Sequence, residues 1–486
     1  MRGVRVRLPV QILGAAVLLA VAVECYYHAV KSLPDGLSCR SEFLPATGVR
    51  FLCDQTFLDA SGARVIDQHI FDEVFAMITN AEHLVVVDMF LFNEFTGTGS
   101  TPSRHLCEEL TSALIARKRA FPSLRAVLIT DPVNTVYGGM EPRHLRRLRE
   151  AGIEVVVTRL NRLRDSNAAW SSMWRLFFKP WGNSSEGGWL ANPFGEGKVT
   201  MRSWLALLNF KANHRKVVVA DVGGELRALV TSANPHDGSS AHSNVGLILC
   251  GPTVRSVLEA ERAVLAFSGG EAIPMNGVPV AAALTGLAST NPLRVQVVTE
   301  GAIADAAEAM IGAAGTGDAL DLVMFYLADR PIVRALKAAA SRGVMMRVVL
   351  DPNKDAFGQE KSGMPNRQVA RELVAAGVPV RWAVTHGEQM HAKMLVIKRR
   401  DGTAELLLGS ANFTRRNARD YNLEADVRVS GQKEAPALAD AAAYTDRLWT
   451  NAGGRVFTTG YEAFRDDSRW RVFRYRVQEA TGLCTW

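Results

Sequence analysis

Apolar positions along this chain fall into two alternating patterns. Segments with apolar residues every three or four positions are each followed by a short run rich in Val, Ile and Leu, as in strands covered on both faces. In the first half this predicts helices over 67–80, 103–119 and 142–151, and strands over 83–92, 124–130 and 153–158. The second half repeats the order, with helices over 302–313, 331–341 and 366–376 and strands over 320–327, 345–350 and 378–384. Helix-then-strand alternation is an α/β signature, and its return marks an internal duplication. Met89-Phe90 matches Met324-Phe325, and Asp131-Pro132 matches Asp351-Pro352.

Three stretches break the pattern. Arg2, Arg5 and Arg7 precede an apolar run over 10–23, with a small-x-small site at Ala20-Val21-Ala22. Residues 1–28 therefore read as a signal peptide or, if Leu8, Tyr26 and Tyr27 extend the run, as an N-terminal membrane anchor. Either reading exports the remainder, making it periplasmic or anchored in the inner membrane with its folded part outside the cytoplasm. Residues 29–60 carry little periodic signal and read as a linker. Over fifty residues then separate the strand at 153–158 from the next first-half strand, where the second half uses only a few. The resulting insertion, 160–210, holds Trp170, Trp174, Trp181, Trp189 and Trp204 beside Arg175 and Lys179, which suits a covering segment, a lid or a membrane-interface element. The domain plan is a first half over 61–271, a connector over 272–292 and a second half over 293–486.

Composition adds modest constraints. With 48% hydrophobic and 22% charged residues the chain is globular, and a formal charge of +7 favours anionic partners without choosing between acidic lipid and nucleic acid. Six cysteines fit an exported location, with Cys39–Cys53 the candidate disulfide. No Cys-x-x-Cys or His cluster suggests a metal site, and no cofactor is expected.

The chemistry lies in a doubled motif. His214-Arg215-Lys216 is followed by Thr-Ser-Ala-Asn at 231–234, and His391-Ala392-Lys393 by Gly-Ser-Ala-Asn at 409–412. His to Ser spans 18 positions in the first copy and 19 in the second, and ten residues after each Asn comes Asn244-Val245-Gly246 or Asn422-Leu423-Glu424. One His-x-Lys arises by chance, whereas two with matching companions point to a shared pocket. Two imidazoles suit phosphodiester chemistry, one attacking phosphorus and the other protonating the leaving alkoxide. Lys216 and Lys393 would stabilise the non-bridging oxygens, and Ser232, Asn234, Ser410 and Asn412 would add hydrogen bonds to them.

These residues resemble the phospholipase D superfamily, whose doubled signature is His-x-Lys-x4-Asp followed by Gly-Ser-x-Asn. The resemblance covers roughly residues 60–450. It implies two duplicated phospholipase D-like halves, each a mostly β-sheet layer sandwiched by helices, related by a pseudo-twofold axis with the active site between them. His214, Lys216 and Asp221 match the first signature, with Thr231 in place of Gly, and His391 and Lys393 match the second. Two positions depart from it. Lys398 stands where the second Asp is expected, with Asp401 displaced into a hairpin turn, and Gly246 stands where the second copy has Glu424. On this alignment Glu424 serves His391, and Asp237 is the candidate substitute near His214. Family habit makes His214 the nucleophile, while a carboxylate at His391 argues the reverse.

The implied activity is hydrolysis or transfer of the phosphatidyl group through a covalent phosphohistidine, with a phospholipid substrate at a membrane surface. Arg415 and Arg416, just after the second Asn, are the candidate headgroup contacts. The alternatives are a cardiolipin synthase-like phosphatidyltransferase, an exported nuclease acting on nucleic acid, and a degenerate lipid-binding protein.

Overall fold

The computed structural model describes residues 7–46, 48–97, 102–274, 293–356, 359–484 and 486. Two large sheets form. From one edge, the first runs Arg64–Asp67, Arg50–Leu58, Asn244–Cys250, Glu225–Thr231, Lys216–Val222, Leu84–Met89, Arg125–Thr130 and Glu154–Val157. The second runs Leu44–Ala46, Leu293–Thr299, Ala425–Gln432, Thr403–Gly409, Lys393–Lys398, Ala319–Met324, Met345–Leu350, Val380–Ala383 and Thr458–Gly460. With the outer additions removed, each half lays its strands in the order 1-7-6-5-2-3-4, with parallel pairing only among strands 2, 3 and 4. The duplication is therefore one of topology as well as motif. The helices form where the period places them, at Ile70–Asn80, Leu106–Ala120 and Arg143–Glu150, then Gly301–Gly312, Arg330–Ser341 and Asn366–Ala375.

Alternation along each motif strand divides the core into layers. Val217 and Val219 face the central cluster, whereas Val218 and Ala220 face the outer cluster of the first half. In the second half Met394 and Val396 face inward, and Leu395 and Ile397 face outward. The central cluster draws on both sheets and on two helices between them, Thr253–Ser268 and Pro436–Thr450. Both faces of each sheet are covered, as the Val-rich strands require.

Two expectations for the N-terminal region are corrected. Residues 29–60 are not a linker: Leu44–Ala46 pairs with Leu293–Thr299 in the second sheet, and Arg50–Leu58 pairs with Asn244–Cys250 in the first. The stretch thus threads both halves, and the first begins at Arg50 rather than at 61. Cys39 and Cys53 are both free thiols. Cys39 lies beside Thr299 of the second half, with Sγ 3.3 Å from its Oγ1, while Cys53 belongs to the first sheet and faces Arg447. Closeness in sequence placed them together, and the crossing between sheets separates them. Most of the 272–292 connector lies outside the described residues.

Arg7–Val30 is one helix, and its Val10–Val30 stretch of 21 residues is long and apolar enough to cross a membrane. Its C-terminal end docks on the insertion. Arg175 donates to Glu24 at 2.8 Å, Asp165 N–H to His28 C=O at 2.9 Å, and Lys31 to Asn161 C=O at 2.9 Å.

Candidate active site

Each motif histidine sits two residues before the start of its strand, held there by matched parts of the duplication. The turn after the third strand of each half supplies an aspartate. Asp131 accepts from Asn213 N–H at 2.6 Å, and Asp351 accepts from Met390 N–H at 2.8 Å. Phe90 packs against the His214 ring and Phe325 against His391, with centroids 4.7 and 4.9 Å apart. Both pairs were visible in the sequence as repeated dipeptides, but their roles were not.

The halves then exchange bonds. His214 N–H donates to Leu423 C=O at 2.9 Å, and His391 N–H donates to Ser243 C=O at 2.8 Å. Such reciprocity is what a twofold relation produces. It continues in the side chains, because His214 Nδ1 lies 2.9 Å from the Glu424 carboxylate and His391 Nδ1 lies 3.1 Å from Asn244 Oδ1. Each imidazole is thus oriented by the opposite half. Glu424 serves His214, not His391, and Asp237 lies elsewhere, accepting from Cys107 N–H at 2.9 Å and facing His105.

The strand register also corrects the alignment of Gly246 with Glu424. Ser232 N–H donates to Val245 C=O and Ser410 N–H to Ala425 C=O, which makes Asn244 the counterpart of Glu424. Ser232 Oγ donates to Asn244 Oδ1, as Ser410 Oγ does to Glu424. Both serines therefore lock the orienting side chains rather than facing a phosphate. Gly246 is the cross-strand neighbour of Thr231, and Asp426 that of Gly409. The small residue has changed strands. A Cβ on Gly409 would meet Asp426 Oδ1 at 2.3 Å, whereas Thr231 is accommodated because Gly246 stands opposite.

Lys216 and Lys393 follow their histidines by two positions and share their face. Each ammonium donates to its own histidine's C=O, at 2.5 and 2.6 Å. Asn234 Oδ1 accepts from Leu91 N–H and Asn412 Oδ1 from Tyr326 N–H, both at 3.2 Å. The histidines keep slight exposure, 8% for His214 and 7% for His391, above lysines that are fully buried.

Burial dominates the electrostatics. It holds both imidazoles well below their ordinary value, with the neighbouring lysines adding to the effect. Burial lowers Lys216 to about 7 and holds Lys393 well below its usual range, with Lys216 adding to the latter shift. Burial raises Glu424 to about 7 and Asp426 to about 8. A neutral His214 that donates from Nδ1 to Glu424 carries its lone pair on Nε2, the atom a nucleophile requires.

Other predicted residues lie outside this pocket. Asp221, at the far end of its strand, accepts from Glu82, His83 and Leu84 N–H at 2.7 to 3.2 Å and so anchors the neighbouring strand. Lys398 replaces it with an ion pair to Asp321 at 2.8 Å, and Asp401 accepts from Thr403 in the hairpin turn. Arg416 is buried, its guanidinium donating to Gly482 and Cys484 carbonyls and lying 5.0 Å from the Phe210 ring centre. Arg415 donates to Tyr421 Oη at 2.6 Å. Both arginines are engaged by the C-terminal segment or their own loop.

Sequence reasoning missed Arg215. Its fully buried guanidinium pairs with Glu261 at 3.2 Å and Glu300 at 2.7 Å, and Glu300 accepts from Glu424 N–H at 3.1 Å. It thereby ties the first motif to the backbone of its own orienting acid. The sequence offered only a charged residue between two catalytic candidates. Away from the site, Glu94, Cys107 and His144 bring donor atoms within 4.8 Å of one another, a grouping no sequence spacing shows.

Fold and site together define a duplicated α/β protein whose halves jointly build one two-histidine, two-lysine pocket. Residues 307–449 match the family described as cardiolipin synthase, PLD-like domain. The chain is similar in fold to a phosphatidylserine synthase of Haemophilus influenzae Rd KW20, at 10% identity and a TM-score of 0.54, covering 91% of this chain and 96% of that one. A phospholipase D family member from Salmonella typhimurium, Nuc, matches at 25% identity over 32% of this chain and 94% of its own, with a TM-score of 0.27. No curated protein matches by sequence. By the family match, residues 307–449 of the second half form a phospholipase D-like domain, and the likeness to the synthase extends the shared fold over most of the chain.

Proposed function

We propose that the protein is a phosphatidyl-transferring phosphodiesterase in which His214 is the nucleophile and His391 the general acid. The observation carrying this reading is the crossed pairing, with a carboxylate behind His214 and an amide behind His391. A carboxylate stabilises the cation formed when Nε2 bonds to phosphorus, whereas an amide leaves the other imidazolium a stronger acid. Family habit and the carboxylate argument now agree. The phosphodiester anion entering between Lys216 and Lys393 supplies the negative charge that burial withholds, so His391 takes up a proton when substrate is bound.

His214 Nε2 then bonds to phosphorus as the ester P–O bond breaks, and the alkoxide leaves with the His391 proton. Neutral His391 next takes a proton from water or an alcohol, whose oxygen displaces His214. With their Oδ1 atoms held by backbone, Asn234 and Asn412 offer their NH2 groups to the phosphate oxygens. The substrate class is phospholipid. The family description and the apolar N-terminal helix support this, and resolution by the glycerol hydroxyl of a phosphatidylglycerol would make the product cardiolipin.

Incubating the full chain with mixed phospholipids, with and without glycerol, tests the proposal. Phosphatidic acid with free headgroup indicates hydrolysis, and exchanged headgroups or cardiolipin indicate transfer. Nucleotide release from single-stranded DNA without lipid change would replace the reading with a nuclease. Lipid binding without turnover would replace it with a binding protein.

A further inference from the structure

Beside the catalytic pocket, the Trp-rich insertion encloses a second cavity of about 200 Å³ against the first half. Tyr137, Leu160, Trp174 and Ala206 provide apolar wall, and Arg159 and Arg202 stand among them. No motif residue lines it, although Lys211 at its wall lies three positions before His214.

The polar groups around it are unequally satisfied. Arg175 and Lys211 are neutralised by Asp165, at 2.7 and 2.5 Å. Arg202 is half-buried and has no carboxylate partner among the described residues. Its Nε donates to Lys179 C=O at 3.1 Å, and its guanidinium carbon lies 5.6 Å from the Trp174 ring centre. Trp174 Nε1 is buried without an acceptor among the described residues. A half-buried cation without a carboxylate beside an apolar-walled space is costly unless an anion completes it. Burial alone lowers the Arg202 value, in keeping with a missing counter-charge.

The surroundings point to the source of that anion. The insertion carrying Trp174 and Arg202 is the element on which the membrane-length helix docks, through Glu24, His28 and Lys31. It also exposes Phe177, Trp181 and Trp189 at 41%, 59% and 66%. Lys31 reaches Asn161, itself part of the cavity wall. An apolar wall with a guanidinium among it matches a molecule that joins a phosphate to an alkyl portion.

We infer that this cavity is a second lipid site, holding a phospholipid by its phosphate on Arg202, apart from the lipid on which the histidines act. Its neighbourhood to the His214 strand deepens the proposed function, on which it rests, by providing a place for an accepting lipid.

The test uses the full chain in mild detergent and native mass spectrometry, with dioleoyl phosphatidylglycerol, dioleoylglycerol and inorganic phosphate as separate probes. One phosphatidylglycerol per chain should be retained, dioleoylglycerol should not, and millimolar phosphate should not displace the lipid. Arg202→Gln and the cavity-filling Ala206→Trp should each weaken retention about tenfold, the loss of roughly one charge-assisted contact, while His214→Ala should leave it unchanged. Retention unaltered in Arg202→Gln overturns the inference, with Ala206→Trp as an independent second reading. Loss in His214→Ala overturns it by placing the lipid in the catalytic pocket, and displacement by phosphate overturns it in favour of a free-anion site. Turnover of bis(p-nitrophenyl) phosphate by wild type and His214→Ala is measured alongside, so that a failed catalytic reading is distinguished from a failed lipid site.

Discussion

His214 and His391 occupy matched frames, yet one faces a buried carboxylate and the other an amide. Both are preceded by a residue bonded to an Asp-Pro aspartate, packed by a phenylalanine and followed by a lysine at the same distance. The difference enters only at Glu424 and Asn244, equivalent positions contributed across the interface. A duplication that began with two equal histidines can assign unequal tasks by changing one orienting group, because an imidazole's basicity follows what its Nδ1–H meets. A further asymmetry lies at the middle motif residue, where Arg215 is wired into buried acids and Ala392 is not.

The sharpest break of this comparison is expected from the histidines themselves. His214→Ala should abolish turnover of phospholipid and of nitrophenyl phosphodiesters alike, by about ten-thousandfold or more. His391→Ala should lose on the order of 10²- to 10⁴-fold on phospholipid but still release a burst of nitrophenol from nitrophenyl esters, whose leaving group needs no proton, before the second step that His391 serves as base becomes limiting. The reverse pattern would exchange their roles.

Next in size are the orienting groups. Glu424→Gln should lower kcat between about a hundredfold and ten-thousandfold, since an amide can present the wrong atom to Nδ1. Asn244→Asp should make His391 a weaker acid and slow phospholipid turnover about tenfold, leaving nitrophenyl turnover intact. Equal effects of these two substitutions on both substrates would show that the asymmetry is without consequence.

Arg215→Ala tests the wiring difference through stability. Removing one partner of a fully buried ion network should cost about 3–5 kcal/mol in urea unfolding, whereas Ala392, with no such partners, marks a position the fold satisfies by packing alone.

A pH-dependent effect concerns Asp426, whose cross-strand neighbour is Gly409 and whose positional counterpart in the first half is Gly246. Burial raises its folded value from 3.8 to about 8. Its contribution therefore favours the fold fully below the unfolded value and is lost as pH rises through the folded one. Melting curves of wild type and Asp426→Asn should show the wild type losing ground to the variant as pH rises from about 4 to about 8. A constant difference would contradict the raised value.

Much of this was legible in the residue order. The helix and strand periods located the shared α/β repeat, and the doubled motif named His214, Lys216, His391 and Lys393. The Asp-Pro and Met-Phe landmarks were visible without a purpose, because a local pattern records recurrence and not what a side chain reaches. The misreadings of the Ser and Glu positions share one origin. Counting ten residues from each Asn aligned Gly246 with Glu424, but the second hairpin is two residues longer, and only strand register shows that Asn244 is the true counterpart. Ser232 and Ser410 looked like phosphate ligands until the same register turned them toward the orienting groups.

The amino-acid sequence by itself determined the period of each element, the duplication and the kinds of groups available for chemistry, since these depend on neighbours a few positions apart. Only the tertiary structure decided which acid serves which histidine, that residues 44–46 and 50–58 enter different sheets, that Cys39 and Cys53 stay apart, and that Arg415 and Arg416 are already engaged. Those outcomes depend on how two similar sheets face each other, and side chains more than two hundred positions apart meet across that face.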